Sequence, residues 1–222
     1  DRNKDIILTS SIIGISGTAY IFDKKNKSLT EEEVFNLNKE NISRFDQKAT
    51  TNYSERAAKW SDAGLLLSLS SPALLMCFSA ARKDALDLGV IGSQNLFFTA
   101  ASTMLIKNTT KRIRPYVYNP DVPLEKKLNK DSRQSFISGH TSLAFASASF
   151  LSTSYSHYFP ESNSKYLVWG ASMGLASTVG FLRYKAGKHF PTDIIGGAIV
   201  RSFIGWGVSE LHKKSDNHEN KN

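Results

Sequence analysis

Long runs without charged residues alternate with polar segments along the chain. Five runs lack Asp, Glu, Lys and Arg, and a sixth is interrupted by Arg201; they cover 6–22, 63–81, 88–106, 138–160, 166–182 and 194–209. Each is close to the length of a helix that crosses a bilayer. Strand signals are weak because most β-branched residues lie inside these runs. The pattern predicts an all-α protein built as a six-helix bundle.

The composition of the runs fits two environments. They are rich in Ser, Gly, Ala and Thr, as in "GASMGLASTVGF", which suits close helix packing in a membrane. A tightly packed soluble bundle has the same need for small residues. The mean hydropathy of −0.28 is low for six spans because the connecting segments and the ends are polar. We expect transmembrane helices, with a soluble bundle as the alternative.

The polar stretch 23–62 separates the first two runs. Thr30 and Glu33 form a capping-box signature. Positions at near-helical spacing follow at Val34, Leu37, Asn38, Ile42 and Phe45. We predict an amphipathic helix lying on the body or on the membrane surface. An ordinary surface helix is the alternative.

Length and charge narrow the classes of protein. A chain of 222 residues suits one domain, which we place at 1–212, with a disordered polar tail at 213–222. The net charge of +8 suits nucleic acid, a lipid surface or a phosphorylated small molecule. The apolar runs argue against nucleic acid. Cys77 is the single cysteine and the five histidines are dispersed, so we expect chemistry without a metal.

Three short segments carry candidate chemistry, and the first is "KNTTKRIRP". If the third helix continues past Ile106, Lys107 and Arg114 lie almost two turns apart on one helix face. Two cations there would make an anion site. A basic flank at a membrane border is the alternative.

The second segment, "SFISGHTSLAFASASF", opens the fourth run. Ser138, Gly139 and His140 stand where a helix begins, and the free N–H groups of a helix N-terminus bind oxyanions. His140 can donate a proton. A capped helix with an incidental histidine is the other interpretation.

The third segment, "RYKAGKHFPTD", precedes the last run. Pro191 suits the first turn of a helix, which leaves His189 at its mouth and Asp193 in its first turn. Asp193 could then orient the imidazole, and Arg183 could bind a tetrahedral oxyanion. A simple cap by Asp193 is the alternative.

Together these segments resemble the signature of the type 2 phosphatidic acid phosphatase (PAP2) family. Lys-x6-Arg-Pro, SGH and Arg-x5-His-x3-Asp occur in the family's order, between 107 and 193. The superfamily also contains class A acid phosphatases and vanadium haloperoxidases. Two positions depart from the usual pattern: Ile137 stands where the family has proline, and Leu182 where it has serine. Losing them should loosen a loop and remove one phosphate-binding hydroxyl.

The resemblance implies a role for each motif residue. His189 would be the nucleophile that forms a phosphohistidine, Asp193 would orient it, and His140 would protonate the leaving group. The phosphate would be held by Lys107, Arg114, Arg183, Ser138 and Gly139, within an active-site loop at 107–137. No metal or cofactor is implied, and vanadate should bind as a mimic of the transition state.

The expected function is hydrolysis of a phosphorylated membrane lipid. Phosphatidic acid, phosphatidylglycerol phosphate, undecaprenyl pyrophosphate and lipid A are candidate substrates, and the oligomeric state is left open. The resemblance implies a bacterial inner membrane with the site facing the periplasm. The alternatives are a soluble periplasmic acid phosphatase, a vanadium haloperoxidase, and a non-catalytic membrane protein that binds anionic lipid.

Overall fold

The computed structural model describes residues 2–211, and these contain helices and loops but no strand. The α-helices are α1 (Arg2–Lys25), α2 (Glu31–Phe35), α3 (Arg44–Gln47), α4 (Glu55–Ser70), α5 (Ser79–Arg82), α6 (Ala85–Thr110), α7 (Leu124–Lys127), α8 (Gly139–Tyr158), α9 (Ser164–Lys185) and α10 (Pro191–Leu211). Short 3₁₀-helices cover Lys39–Asn41, Lys48–Thr51, Ser71–Cys77, Pro115–Tyr118 and Lys130–Arg133. The predicted all-α class is confirmed.

Helix α8 is the centre of the bundle. It packs against α4, α6, α9 and α10, and α1 packs on the outer side of α6. The contact between α8 and α9 is built from Ala144, Ala148, Ala176 and Val179, which are all buried, and Leu65 of α4 packs against this cluster. Small side chains let these helix backbones approach closely. Six of the described helices have sixteen or more residues, one for each predicted run.

The second predicted run, 63–81, is wrong as a single helix. Helix α4 starts earlier, at Glu55, because the Ser54 hydroxyl caps it by accepting from the Ala57 N–H at 3.1 Å. It ends at Ser70, and Pro72 lies in the first turn of the 3₁₀-helix that follows. Proline removes a backbone donor, so the α-helical ladder stops there.

The polar stretch also differs from its prediction. The capping box is present: Glu33 N–H donates to the Thr30 hydroxyl at 3.2 Å, and Thr30 N–H donates to the Glu33 carboxylate at 2.8 Å. The single amphipathic helix is wrong, because α2 ends at Phe35. The Asn38 side chain accepts from Glu40 N–H at 2.8 Å and starts a separate 3₁₀ turn.

One face of this stretch covers the loop that follows α6. Val34 and Leu37 pack against a buried cluster of Leu29, Tyr116 and Val117. The stretch therefore lies on the body of the protein, over the segment that carries the first motif.

Helix α1 passes the length and hydropathy test for a bilayer span over Asp5–Lys25, and it is the one helix among residues 2–211 that does. Only 6% of the apolar segment that meets this test is buried against the rest of the protein. An apolar helix near an N-terminus is also typical of a signal sequence, so the six-span arrangement stays a prediction. The predicted tail, 213–222, lies outside the described residues.

Candidate active site

The three motifs meet at one end of the bundle. Helices α6 and α9 finish there, and α8 and α10 begin there. The Ser138 N–H donates to the Asp193 carbonyl at 3.2 Å, which joins the second motif to the third. His189 Nε2 lies 3.3 Å from Arg114 Nη1, and this contact joins the third motif to the first. Motifs that are far apart along the chain thus form one cluster in space.

His189 is buried, with 1% of its surface exposed. Its Nδ1 lies 2.7 Å from the carbonyl oxygen of Ser135, so Nδ1 carries the proton and donates it there. Its Nε2 lies 3.3 Å from Nη1 of Arg114. The neutral ring therefore directs an unprotonated nitrogen at a cation, where an anionic substrate would bind.

Burial lowers the pKa of His189 well below its ordinary value of 6.5, and the nearby charges of Arg114, Lys107 and Arg183 lower it further. Both effects disfavour the imidazolium. The free ring is therefore held neutral, which is the form that has a lone pair.

Asp193 lies behind His189 rather than in direct contact with it. Its Oδ2 is 3.7 Å from His189 Nδ1, whereas the same oxygen accepts from the Ser135 hydroxyl at 2.5 Å and from the Phe190 N–H at 2.8 Å. Asp193 therefore both caps the start of α10 and holds the two segments that fix the imidazole. The predicted orienting carboxylate is close to the ring, with Ser135 supplying the closest contact.

Arg112 completes this support. Its guanidinium bonds Asp193 at 2.5 Å and Asp46 at 2.8 Å, and it lies 4.3 Å over the ring of Phe190. Asp46, on α3, also accepts from the Thr192 hydroxyl at 2.7 Å. A chain of charge-assisted hydrogen bonds thus connects the polar stretch to Asp193, the carboxylate behind His189.

Arg114 reaches the site from a loop and not from a helix face. Helix α6 does run past Ile106 and includes Lys107, but it ends at Thr110, and Lys111 adopts the left-handed conformation with φ of 49°. Arg114 then bonds Asp131 at 2.6 Å and the Lys188 carbonyl at 3.0 Å. The prediction of a shared helix face is wrong, although the two cations still converge.

Lys107 and Arg183 complete a group of three largely buried cations. The Lys107 ammonium donates to the Gln134 carbonyl. Arg183 donates to the Ser61 hydroxyl at 3.3 Å, and its Nε is buried without a hydrogen-bond partner among the described residues. Buried cations with unused donors are suited to an oxyanion.

Ser138 is the N-cap of α8, as one interpretation predicted. Its hydroxyl accepts from Thr141 Oγ1 at 2.8 Å and from the Thr141 N–H at 3.4 Å, and it keeps its own proton to donate. A Cβ added at Gly139 would lie 3.7 Å from Lys107 Cε. The open N–H groups of this helix end therefore stand beside the lysine.

His140 pairs with a carboxylate that the motifs do not contain. Its Nε2 lies 2.7 Å from Oδ1 of Asp62 on α4, and the same oxygen is 3.7 Å from Arg183 Nη1. Asp62 thus contacts both a histidine and a phosphate-binding candidate. It also lines an adjoining cleft of about 370 Å³ with Lys59, Lys188 and Tyr53.

Sequence reasoning missed Asp62, Asp46, Arg112 and Ser135. Arg112 lies inside the first segment and Ser135 is the first residue of the second, so proximity to a motif was an available signal for both. The two aspartates lie in polar or helical segments 45 or more residues from the first motif. Only the packing of α3 and α4 reveals them.

Comparison with protein families agrees with this geometry. The model of the PAP2 superfamily matches residues 88–216, which is more than half of the chain. The chain belongs to the PAP2 superfamily. This membership supports a phosphatase-type activity, that of a phosphoric ester hydrolase. No curated protein and no solved structure gives a significant match.

The PAP2 match starts in α6, so α1 to α5 lie before it. Asp46 and Asp62 therefore come from outside the matched region and still reach the site. Among residues 2–211, no group of three His, Cys, Asp or Glu side chains is arranged to hold a metal ion.

Proposed function

We propose that this PAP2 protein is a metal-independent phosphatase that hydrolyses a phosphate or pyrophosphate ester of a membrane lipid through a phosphohistidine. The observation that carries the proposal is the state of His189: buried, neutral, with Nδ1 bonded to a carbonyl and Nε2 facing Arg114. A nitrogen nucleophile beside fixed cations is what phosphoryl transfer requires.

In the first step, His189 Nε2 attacks phosphorus and the bond from phosphorus to the ester oxygen breaks. Lys107, Arg114 and Arg183 would neutralise the charge on the equatorial oxygens, together with the N–H of Gly139 and the Ser138 hydroxyl. These cations would do the work that magnesium does in kinases. Vanadate should occupy the same position as a five-coordinate mimic.

His140 would supply the proton that the leaving oxygen needs. Because Nε2 is bonded to Asp62, Nδ1 is the nitrogen that can exchange a proton with the substrate. Burial, and then the charge of Arg183, lowers the pKa of His140 to about 4, and Asp62 opposes this shift. A bound phosphate that neutralises Arg183 would raise the pKa and favour the imidazolium that acts as the acid. In the second step the neutral ring takes a proton from water, which attacks phosphorus, breaks the bond to His189 and releases phosphate.

Exposed apolar side chains support a lipid as substrate. Leu66 and Leu67 on α4, Phe97 on α6 and Leu167 and Phe181 on α9 are each more than half exposed. Extensive apolar surface of this kind is typical of contact with a membrane. We propose insertion in a bacterial inner membrane with the site on the periplasmic side, as family resemblance implies.

Phosphate release from lipid substrates in detergent tests the proposal. Wild type is expected to release phosphate from phosphatidic acid or undecaprenyl pyrophosphate in the presence of EDTA. His189→Ala should lose activity by several orders of magnitude. Rapid quench with labelled substrate should trap an acid-labile phosphoprotein in wild type only. Activity that needs added metal, or survives in His189→Ala, would disprove the mechanism.

A further inference from the structure

Arg201 on α10 is a buried charge that the phosphatase mechanism does not use. It is 0% exposed, and none of Nε, Nη1 and Nη2 has a hydrogen-bond partner among the described residues. No described carboxylate forms an ion pair with it. An unpaired guanidinium is costly to bury and does not lose its proton, so it needs a counter-charge.

The neighbouring helices carry polar groups without partners along their buried faces. Thr99 and Thr103 on α6, and Ser142, Ser149 and Thr153 on α8, are buried with hydroxyls that lack a partner among the described residues. Other hydroxyls on the same two helices donate to the carbonyl four residues earlier, as Ser102 and Ser156 do. The unused hydroxyls therefore have protons available for something else.

Two contacts fix the register of the three helices, which all pack on one another. A Cβ at Gly197 would lie 3.0 Å from the Ser142 hydroxyl, and Asn95 donates to the Ala146 carbonyl at 3.1 Å. Helices α8 and α10 both run away from the active-site end. Four residues after Gly197, Arg201 is therefore level with Ala146, and so with Asn95.

The geometry points to a binding site for one small monovalent anion, of the halide class, at the Arg201 guanidinium between α6, α8 and α10. Thr99 lies about one turn from Asn95, toward the active-site end of α6. Ser149 lies three residues, about one turn, beyond Ala146 in the opposite direction along α8. Ser149, about 4.5 Å from this level along the axis, is therefore nearer to it than Thr99, and its unpaired hydroxyl is available to donate to a bound anion.

The charge of the site selects the class of anion. One guanidinium neutralises one negative charge. The side-chain carbonyl oxygen of Asn95, which also lacks a partner among the described residues, can accept a hydrogen bond from the same guanidinium. A dianionic phosphate would need a second cation. The next described cation on α6 is Lys107, eight residues or about 12 Å beyond Thr99, and it belongs to the active site.

Thermal unfolding of the full chain in detergent tests the site. At equal ionic strength, chloride or bromide should raise the Tm above its value in gluconate, by about 3 °C when the halide is tenfold above its Kd. Arg201→Met should lose this increment. Lys83→Met, which removes an exposed charge at the turn before α6, should keep it. Saturating vanadate, which would fill the active site, should not abolish it.

Bromide in crystals of the wild type provides a second measurement, which holds even if Arg201→Met fails to fold. An anomalous peak in contact with the guanidinium is expected. A guanidinium bonded only to water or to a carboxylate of the chain would overturn the proposal. So would a wild-type Tm without a halide increment, or an increment that persists in Arg201→Met.

Discussion

At the scale of single residues, the hydrogen bond from His189 to the Ser135 carbonyl decides which nitrogen can react. With Nδ1 donating at 2.7 Å, the lone pair of the neutral ring is on Nε2. The surrounding cations oppose protonation there until a phosphate arrives and neutralises them. The same charges therefore bind the substrate and keep the nucleophile ready.

The pH dependence should show this lowered pKa. A group whose pKa is lowered stays neutral as the pH falls through the ordinary value, so kcat/KM should persist below about pH 6.5. Its acid limb should move to higher pH in Arg114→Gln, which removes the nearest positive charge. A wild-type limb at or above about pH 6.5, measured on a water-soluble ester, would contradict the prediction.

Asp62 should act through His140 as a positioning residue. Asp62→Asn is expected to lower kcat for an alkyl phosphate by about tenfold or more, because the acid is no longer oriented or favoured. Nitrophenyl phosphate, whose leaving group needs little protonation, should lose much less. Glu55→Gln, which changes a carboxylate in the same cleft, is the control. Equal losses on both esters would assign Asp62 a purely structural role.

The motif residues could be predicted from the sequence because their types and spacing identify them. Asp62 and Asp46 could not, since each carboxylate lies in a segment whose local pattern shows nothing about its distant partner. Lys107 and Arg114 were predicted correctly to converge, but for the wrong reason. The prediction placed them on one helix face, whereas in the structure the left-handed Lys111 and the loop after it bring them together.

At the scale of elements, the turn between α9 and α10 places His189. Gly187 has φ of +70°, and its carbonyl accepts from the Tyr116 N–H at 2.9 Å. A Cβ there would lie 2.0 Å from the Asn52 carbonyl oxygen. Three segments of the chain therefore meet where only glycine fits.

Gly187→Ala should displace this turn and the histidine two residues later. We expect a loss of stability above about 2 kcal/mol, together with a large loss of kcat. Gly170→Ala, in an open position on α9 where a Cβ meets nothing within 4 Å, should leave kcat unchanged and raise stability by up to about 1 kcal/mol. Denaturant unfolding and phosphate release measure both effects. A stable, active Gly187→Ala protein would contradict the assigned turn.

Element boundaries were predicted best where one signal dominated. Pro191 at the start of α10 and the capping box at Thr30 were both found. Charge-free length alone failed at 63–81, because it did not weigh the proline at 72. It also placed the start of α4 too late, since the charged first turns of that helix are exposed to solvent or to the site.

At the scale of the whole molecule, apolar side chains lie on the outside of several helices as well as α1. Polar groups and the catalytic cluster occupy one end and part of the interior. Exposed apolar surface of this extent is expected where a protein contacts a membrane, in keeping with the proposed insertion of the bundle.

Labelling with a lipid-soluble photoactivatable carbene distinguishes these arrangements. In membranes containing the full chain, we expect labels on Leu66, Phe97, Leu167 and Phe181, read by mass spectrometry. The segment at 120–126, which includes the start of α7, should remain unlabelled as an internal control. Labels confined to Asp5–Lys25 would indicate a soluble bundle on one anchor.

The bridge from Asp46 through Arg112 to Asp193 limits how the protein can be recombined. The family match begins at 88, yet the carboxylate supporting the nucleophile is tied to a residue 42 positions earlier, at Asp46. A chimera that takes its first third from another member will need a carboxylate at the same place. Grafting the matched region alone would transfer the reactive groups without Asp46, the carboxylate that holds Arg112 and Asp193 in place.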